Sequence, residues 1–218
     1  MTTHWTTRAE TAADIPAVDA VVRAAFPTAD EADLVAGLRR DPAWIDGLSV
    51  VATTTGGTVV GHALLTRCHI DDTPALCLAP CAVLPAQQGS GAGSAAIRAV
   101  LQAARAAGEA FVVVLGHPGY YPRFGFERAS AHGIGLSIDV PDDALMALSL
   151  DPRRSLPAGT VRYAAPFGIC RPTAPPPLPI PGLPFDLRPP TPGRDSGCMT
   201  PIRRRMPPDS ASWRDEAP

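Results

Sequence analysis

The sequence contains no lysine and no asparagine, and all 19 basic residues are arginine. With its abundant alanine and proline this reads as GC-rich coding bias and carries no functional message. Only 6% of residues are aromatic and 18% are charged, and the formal net charge is −2. That balance excludes a general polyanion binder, because no charge excess draws the whole chain onto nucleic acid or an anionic membrane. No run approaches the ~20 apolar residues that span a bilayer. The polar stretch Met1–Asp14 has no apolar segment of the secretory kind. The five cysteines (Cys68, Cys77, Cys81, Cys170 and Cys198) are an odd number without a signal, so the expected setting is a reducing cytoplasm. A metal site is not expected. Cys77 and Cys81 share strand parity and stand about 13 Å apart on an extended chain, too far to hold one ion. Cys68 and His69 are neighbours that point to opposite faces. No Gly-x-Ser-x-Gly elbow supports a hydrolase.

Apolar residues make up 45% of the chain, enough for a sizeable core. Proline is unevenly spread: residues 1–169 hold 12 and residues 170–218 hold 14. The expected organisation is one globular domain over 1–169 and a Pro-rich, disordered tail over 170–218. Pro175-Pro176-Pro177 and Pro189-Pro190 favour extended polyproline segments. Arg203-Arg204-Arg205 is shorter than a nucleic-acid-binding arm. A tail that docks on aromatic grooves through the Pro176/Pro179 spacing is a further reading of this region.

Periodicity predicts the elements. Trp5–Glu10 has strand character. Thr11 and Asp14 precede Ile15-Pro16, an N-cap signal, and apolar residues at three- and four-residue spacing make Asp14–Phe26 an amphipathic helix. Asp30–Arg40 is a second helix. Leu48–Thr55 and Thr58–Ile70 flank Gly56-Gly57 and read as a β-hairpin. Asp71–Pro74 is a turn and Ala75–Leu84 a long apolar strand. Ser94–Ala107 is an alanine-rich helix and Phe111–Leu115 a buried strand, so strand, helix and strand form a crossover with a locally parallel pair. Gly133–Val140 alternates as a strand, Pro141–Leu148 is a short helix, and Thr160–Ala165 a last strand. The whole is a mixed α/β sheet.

The glycine-rich stretch Gln87-Gln88-Gly89-Ser90-Gly91-Ala92-Gly93 lies between a buried strand and a helix. Glycines there let the backbone turn tightly and approach a ligand, while the first N–H groups of the helix have no partner within it. That arrangement suits phosphate oxygens; the alternative is a plain strand-to-helix turn. No Gly-Lys-Ser/Thr follows, so the Walker pattern is absent. Gly91, Gly93 and Ala96 fit G-x-G-x-x-A, with Glu109 further on. However, Pro85–Gln88 separate strand from glycine, and Glu109 precedes the next strand, both against a dinucleotide fingerprint.

Gln88-Gly89-Ser90-Gly91-Ala92-Gly93 after Ala82-Val83-Leu84-Pro85 resembles the Q/R-x-x-G-x-G/A motif of the GCN5-related N-acetyltransferase (GNAT) family. Tyr121-Pro122-Arg123-Phe124-Gly125-Phe126 resembles the family's tyrosine four residues before Gly-Phe. The longer string from Leu115 to Phe126 is similar to the YhbS-type branch. The resemblance covers about residues 5–167. It implies an α/β GNAT fold with a mostly antiparallel central sheet flanked by helices. It also implies an acetyl-CoA-dependent N-acetyltransferase that works by direct attack of an amine. Its cofactor-binding residues would be Cys81, Ala82 and Val83, through their backbone, and Gln88, Gly89, Ser90, Gly91, Ala92, Gly93 and Ser94 around the pyrophosphate.

The chemistry needs a protonated leaving thiolate. A thiol titrates near ~8.5 and a phenol near ~10, so a tyrosine can supply that proton. Tyr121 is the expected general acid, and Tyr120 a lining or packing residue. The amine, with a pKa near ~10.4, must lose a proton before it attacks. Neither Ala75–Leu84 nor Phe111–Leu115 contains a carboxylate. Asp71, Asp72, His117 or a water chain stand as bases, and Glu31 and Asp33 as groups for a cationic substrate. The expected partners are acetyl-CoA and a small-molecule or peptide amine, with no nucleic acid and no membrane; a homodimer is left open. The missing strand carboxylate supports the alternative of a non-catalytic acyl-CoA-binding or regulatory module.

Overall fold

The computed structural model describes residues 5–169. The expected tail over 170–218, with its polyproline and arginine readings, lies outside the described residues.

The chain begins with β1 (Thr6–Ala9), a 3₁₀ turn at Ala12–Asp14, and then α1 (Ile15–Ala25). Asp14 fixes this entry, because its carboxylate accepts the Thr11 N–H at 2.8 Å and the Thr11 hydroxyl at 2.7 Å. Pro16 sits in the first turn of α1, where a missing N–H costs nothing. α2 (Asp30–Leu38) follows, then β2 (Ser49–Thr53), β3 (Val59–Ile70), β4 (Thr73–Val83), α3 (Ala92–Ala106) and β5 (Phe111–Leu115). The chain closes with four short strands: β6 (Glu127–Arg128), β7 (Ile134–Leu136), β8 (Leu145–Ser149) and β9 (Gly159–Arg162).

Among the described residues these strands form one nine-stranded mixed sheet, in the order β1-β2-β3-β4-β5-β8-β6, with β9 paired to β3 and β7. The β4–α3–β5 crossover makes β4 and β5 parallel; β1–β2, β2–β3, β3–β4 and β5–β8 are antiparallel. No helix among the described residues is long and apolar enough to cross a membrane.

Four expectations are corrected. The helix expected over Pro141–Leu148 is instead the strand β8, which pairs with β5 along its whole length, from Phe111↔Ser149 to Leu115↔Leu145. Leu145, Met146, Ala147 and Leu148 are buried, and a short fully apolar run does not by its period distinguish helix from strand; the vacant edge of β5 decides it. β4 starts at Thr73, so Pro74 lies inside the strand opposite His69 and the turn is only Asp71-Asp72. α3 starts at Ala92 rather than Ser94. The strand within Gly133–Val140 is only Ile134–Leu136.

Cys77 and Cys81 do not share a face. Between Ala63 and Leu65 of β3 the register with β4 shifts, so that Leu65 pairs with Leu78 while Ala63 pairs with Cys81. The extra residue on β4 is a bulge that reverses the alternation. Leu76, Leu78, Cys81 and Val83 therefore pack under α3, with Ile97, Val100 and Leu101. Cys77 and Ala75 pack on the other face, with Cys68, Phe111 and Tyr163. That second face is covered by α1 near Ala82 and Val51, and by α2 near Leu64.

Candidate active site

The glycine-rich turn is built as a backbone cradle. β4 ends at Val83, Pro85–Gln87 form one 3₁₀ turn, and α3 begins after Gly91. Gly89 and Gly91 have φ values of 71° and 85°, the left-handed region that L side chains seldom enter. The first α-helical bond of α3 runs from the Ala95 N–H to the Gly91 carbonyl at 2.9 Å. The N–H groups of Ala92, Gly93 and Ser94 therefore have no carbonyl one turn back and form the positive end of the helix. Gly93 has a steric reason as well: a Cβ there would stand 3.0 Å from Val83 Cγ2 and 3.3 Å from the Tyr120 hydroxyl. Side chains hold the loop from behind. The Trp5 indole N–H donates to the Ser90 carbonyl at 2.8 Å, Gln88 Nε2 donates to the Val83 carbonyl at 3.4 Å, and the Ser90 hydroxyl donates to the Gln87 carbonyl.

Beside the cradle the sheet opens. β4 and β5 pair only at Leu76↔Val112 and Cys77↔Val113. Beyond Cys77, β4 has no partner on that side, so Cys81, Ala82 and Val83 lie along a gap with a backbone edge turned toward it. This gap meets the cradle at Val83. A phosphate at the helix start and an extended polar chain along the β4 edge both fit the residues present.

The short helical turn Tyr121–Phe124 follows β5 and sits at the gap. Tyr121 is 8% exposed, and a Cβ on Gly116 would meet its ring at 2.3 Å, so the ring can sit there only because residue 116 is glycine. Its edge contacts are Tyr120 at 5.3 Å and Phe126 at 5.8 Å between centroids. The Tyr121 hydroxyl lies beside the Cys81 thiol, and each perturbs the other's ionisation. Burial first, and then Cys81 and Tyr120 beside it, push the Tyr121 phenol well above its usual value, so it holds its proton. Burial likewise pushes the Cys81 thiol up to about 12. Tyr120 is placed differently: its hydroxyl lies 3.3 Å from the Ser94 hydroxyl at the start of α3. The two tyrosines thus point one into the gap and one at the cradle.

The expected bases do not converge there. Asp71 and Asp72 lie in the β3–β4 turn at the far end of β4, more than about 35 Å from Val83 along the strand. They tie that turn to β9, with Asp71 Oδ1 accepting the Thr160 N–H at 3.0 Å and Asp72 paired to Arg162 at 3.0 Å. His117 follows β5 near the gap; it is exposed, and its Nδ1 accepts the Gly119 N–H at 3.1 Å. Asp33 is exposed and paired with Arg23 at 3.2 Å. Glu31 is half-buried in the first turn of α2, next to Ala32, which packs in the cluster with Ala82.

One polar cluster was not legible beforehand. Glu10, Arg39, Ser49 and His62 meet under the C-terminal end of α2. Glu10 pairs with Arg39 through one oxygen. Its other oxygen accepts from Ser49 and lies 3.5 Å from His62 Nε2. Ser49 Oγ is 2.9 Å from His62 Nε2. Burial opposes ionisation of Glu10, and the hydrogen bonds from His62, Ser49 and Arg39 outweigh it, bringing the carboxyl down to about 2. Burial lowers the His62 pKa, against the raising effect of Glu10. His62 stands opposite Ala82 in register. The available signal was a serine and a histidine, Ser49 and His62, inside the long β-branched runs that form β2 and β3.

No group of three or more His, Cys, Asp or Glu residues that could hold a metal ion occurs among the described residues.

Comparison with known proteins converges on one family. The acetyltransferase (GNAT) family model matches residues 18–126. The uncharacterized N-acetyltransferase YjhQ of Escherichia coli is 36% identical over 171 residues, which are 75% of this chain and 94% of that protein. The crystal structure of the GNAT N-acetyltransferase YhbS from Escherichia coli in complex with CoA superposes with a TM-score of 0.71 at 29% identity, covering 76% of this chain and 93% of that one. A GNAT acetyltransferase from Brucella melitensis in complex with acetyl-CoA gives a TM-score of 0.62 at 32% identity, covering 75% and 98%.

Proposed function

Because this chain belongs to the GNAT acetyltransferase family and is YhbS-like, we propose that it is an N-acetyltransferase that takes acetyl-CoA as donor and lets an amine attack the thioester directly. The catalytic unit we assign to residues 1–169. The observation that carries this reading is the position of the Tyr121 hydroxyl, in the β4–β5 gap next to the cradle.

The N–H groups of Ala92, Gly93 and Ser94, with Gly89, Ser90 and Gly91 leading into them, would hold the pyrophosphate. Gln88 braces the turn onto Val83. The free edge of Cys81, Ala82 and Val83 would hold the pantetheine amides. Acetyl-CoA supplies an activated acyl carbon. The amine nitrogen forms a bond to that carbon, the carbon–sulfur bond breaks, and the electron pair stays on sulfur. Tyr121 gives its proton to that sulfur. The same burial that raises the phenol raises the basicity of a thiolate formed beside it, so the transfer remains matched. One ammonium proton is lost to water before attack, and the second, released from nitrogen as the amide forms, returns through water to the Tyr121 phenolate, since no carboxylate lies on the gap-facing length of β4 or on β5.

The test is Tyr121→Phe in single-turnover thiol release with an amine panel. Removing one hydroxyl should lower turnover by ~10²–10⁴-fold and leave acetyl-CoA affinity within about threefold. A small loss would assign the proton to water. A wild-type protein that binds acetyl-CoA and releases no thiol with any amine would be the non-catalytic acyl-CoA-binding module.

A further inference from the structure

On the sheet face opposite α3, Thr66 Oγ1 and the Tyr163 hydroxyl are both buried, and neither has a hydrogen-bond partner. An unpaired buried hydroxyl is unfavourable, and native proteins keep few of them. Both lie on the sheet face that carries Cys68 and Cys77. Thr66 on β3 stands directly opposite Cys77 on β4, and Cys68 lies two residues along the same face. The Tyr163 ring packs on that cluster, close enough for the Cys77 and Cys68 thiols to perturb its phenol.

This part of the face lies at the base of the gap. Cys77↔Val113 is the last rung between β4 and β5, and the Tyr121 phenol also feels Cys77. Tyr121 and the cradle occupy the α3 side. The Thr66–Tyr163 pair lies on the other side, where Tyr163 borders α2 through Phe167. The surroundings carry no charge: burial pushes the Cys68 thiol up to about 12 and the Tyr163 phenol well above its usual value. Arg67, next along β3, is fully engaged with Glu109 at 2.5 and 2.7 Å. A carboxylate or second ammonium would be desolvated here without a counter-ion. A neutral hydroxyl or amide would pair with both hydroxyls.

We propose that Thr66 and Tyr163 form an acceptor-recognition site that takes an uncharged hydroxyl or amide group carried beside the reacting amine. The assignment rests on the acetyl-transfer reading above. Tyr163 belongs to a strap, Tyr163–Phe167, that closes the site: its ring stacks on Phe167 at 5.0 Å, and Phe167 and Ala164 pack against Leu34, Val35 and Leu38 of α2. An acceptor enters when this strap lifts from α2.

The test uses Thr66→Val and Tyr163→Phe, each of which removes one hydroxyl and keeps the shape. Ethanolamine and propylamine are one pair of acceptors, glycinamide and glycine the other. Wild type should favour ethanolamine over propylamine and glycinamide over glycine. In each variant the ethanolamine/propylamine ratio of kcat/KM should fall about three- to tenfold, the worth of one hydrogen bond. Acetyl-CoA affinity should stay within about twofold, and Tm should hold or rise. Two separate variants guard against a folding failure in one. A raised Tm with unchanged acceptor ratios would overturn the proposal, as would a wild type indifferent within both pairs. Wild-type protein that binds acetyl-CoA and acetylates none of the four would overturn the transfer reading itself, a result distinct from either.

Discussion

Two polar regions flank the same stretch of β4, and they are made of different materials. The cradle after Val83 is made of backbone: glycines at positive φ, the first N–H groups of α3, and one carbonyl tied back by Trp5. The Glu10–Arg39–Ser49–His62 cluster is made of side chains, drawn from four elements or their flanks and closed from solvent. The cradle leaves donors turned outward; the cluster turns its carboxylate inward onto Arg39, Ser49 and His62, with Arg39 Nε and His62 Nδ1 left buried and unpaired. A region whose hydrogen bonds are turned outward is built to bind. One whose carboxylate is held by three partners is built to fix α2 and β1 onto the sheet. Substitutions should therefore move binding at the first region and stability at the second.

The largest effect is expected in the cluster. Glu10→Gln removes a carboxylate whose side chain is 5% exposed and leaves the Arg39 guanidinium, itself 15% exposed, without its charge partner. The folded pKa is about 2, below an ordinary value near 4.5. A depressed carboxyl contributes stability that is fully present above its unfolded pKa and is lost as pH falls through the folded one. That contribution is about 3 kcal/mol at neutral pH, so Glu10→Gln should lower Tm by about 6–12 °C. His62 adds in the same direction, because its lowered pKa withdraws stability below ~6.5. Urea unfolding at several pH values between 2 and 7 decides it. Wild-type stability should drop between pH 4.5 and 2, and the variant should be flatter over that interval. Parallel curves would mean that the carboxylate is not the group that matters, and the comparison between the two regions would lose its stability half.

Next is Gly91→Asp. Its φ of 85° can be entered by aspartate at a cost of about 1 kcal/mol, so the fold should persist with a small loss of Tm. The new negative charge would stand where a pyrophosphate is expected. Acetyl-CoA affinity should fall at least tenfold in calorimetry. Unchanged affinity would sink the cradle assignment and leave a plain turn in its place.

The same contrast explains what could be read from the sequence. A backbone site announces itself in a contiguous stretch, since glycine alone enters the φ values at 89 and 91 without strain and allows the close approach at 93. Tyr121 is tied to a local string too, and Gly116, on which its ring lies, is part of that string. The main strands, α1 and α2 followed from period and caps. Long-range assembly did not. Residues 10, 39, 49 and 62 have no sequence proximity to advertise a shared partner. The bulge that separates Cys77 from Cys81 falls at Ala79-Pro80, and the proline inside the strand is its one local mark. β8 is a strand because β5 offers it an edge. Thr66 and Tyr163 meet through a strap that returns nearly 100 residues later.

The smallest effect tests whether the cradle is wholly a backbone device. Trp5 holds it from the N-terminal side, through the 2.8 Å bond to the Ser90 carbonyl. Trp5 is partly buried and packs against the core cluster that contains α3. Trp5→Phe keeps an aromatic ring in that position and deletes the donor. A typical hydrogen bond is worth ~0.5–1.5 kcal/mol, but here only the orientation of one carbonyl is loosened, and the glycine conformations and the start of α3 remain. Acetyl-CoA affinity should therefore fall by only about two- to fivefold, with Tm lowered by no more than about 3 °C. A loss as large as that of Gly91→Asp would show that the cradle depends on β1 being docked. The division into a backbone site and a side-chain cluster would then give way to a single unit in which the N-terminal strand sets the geometry of both.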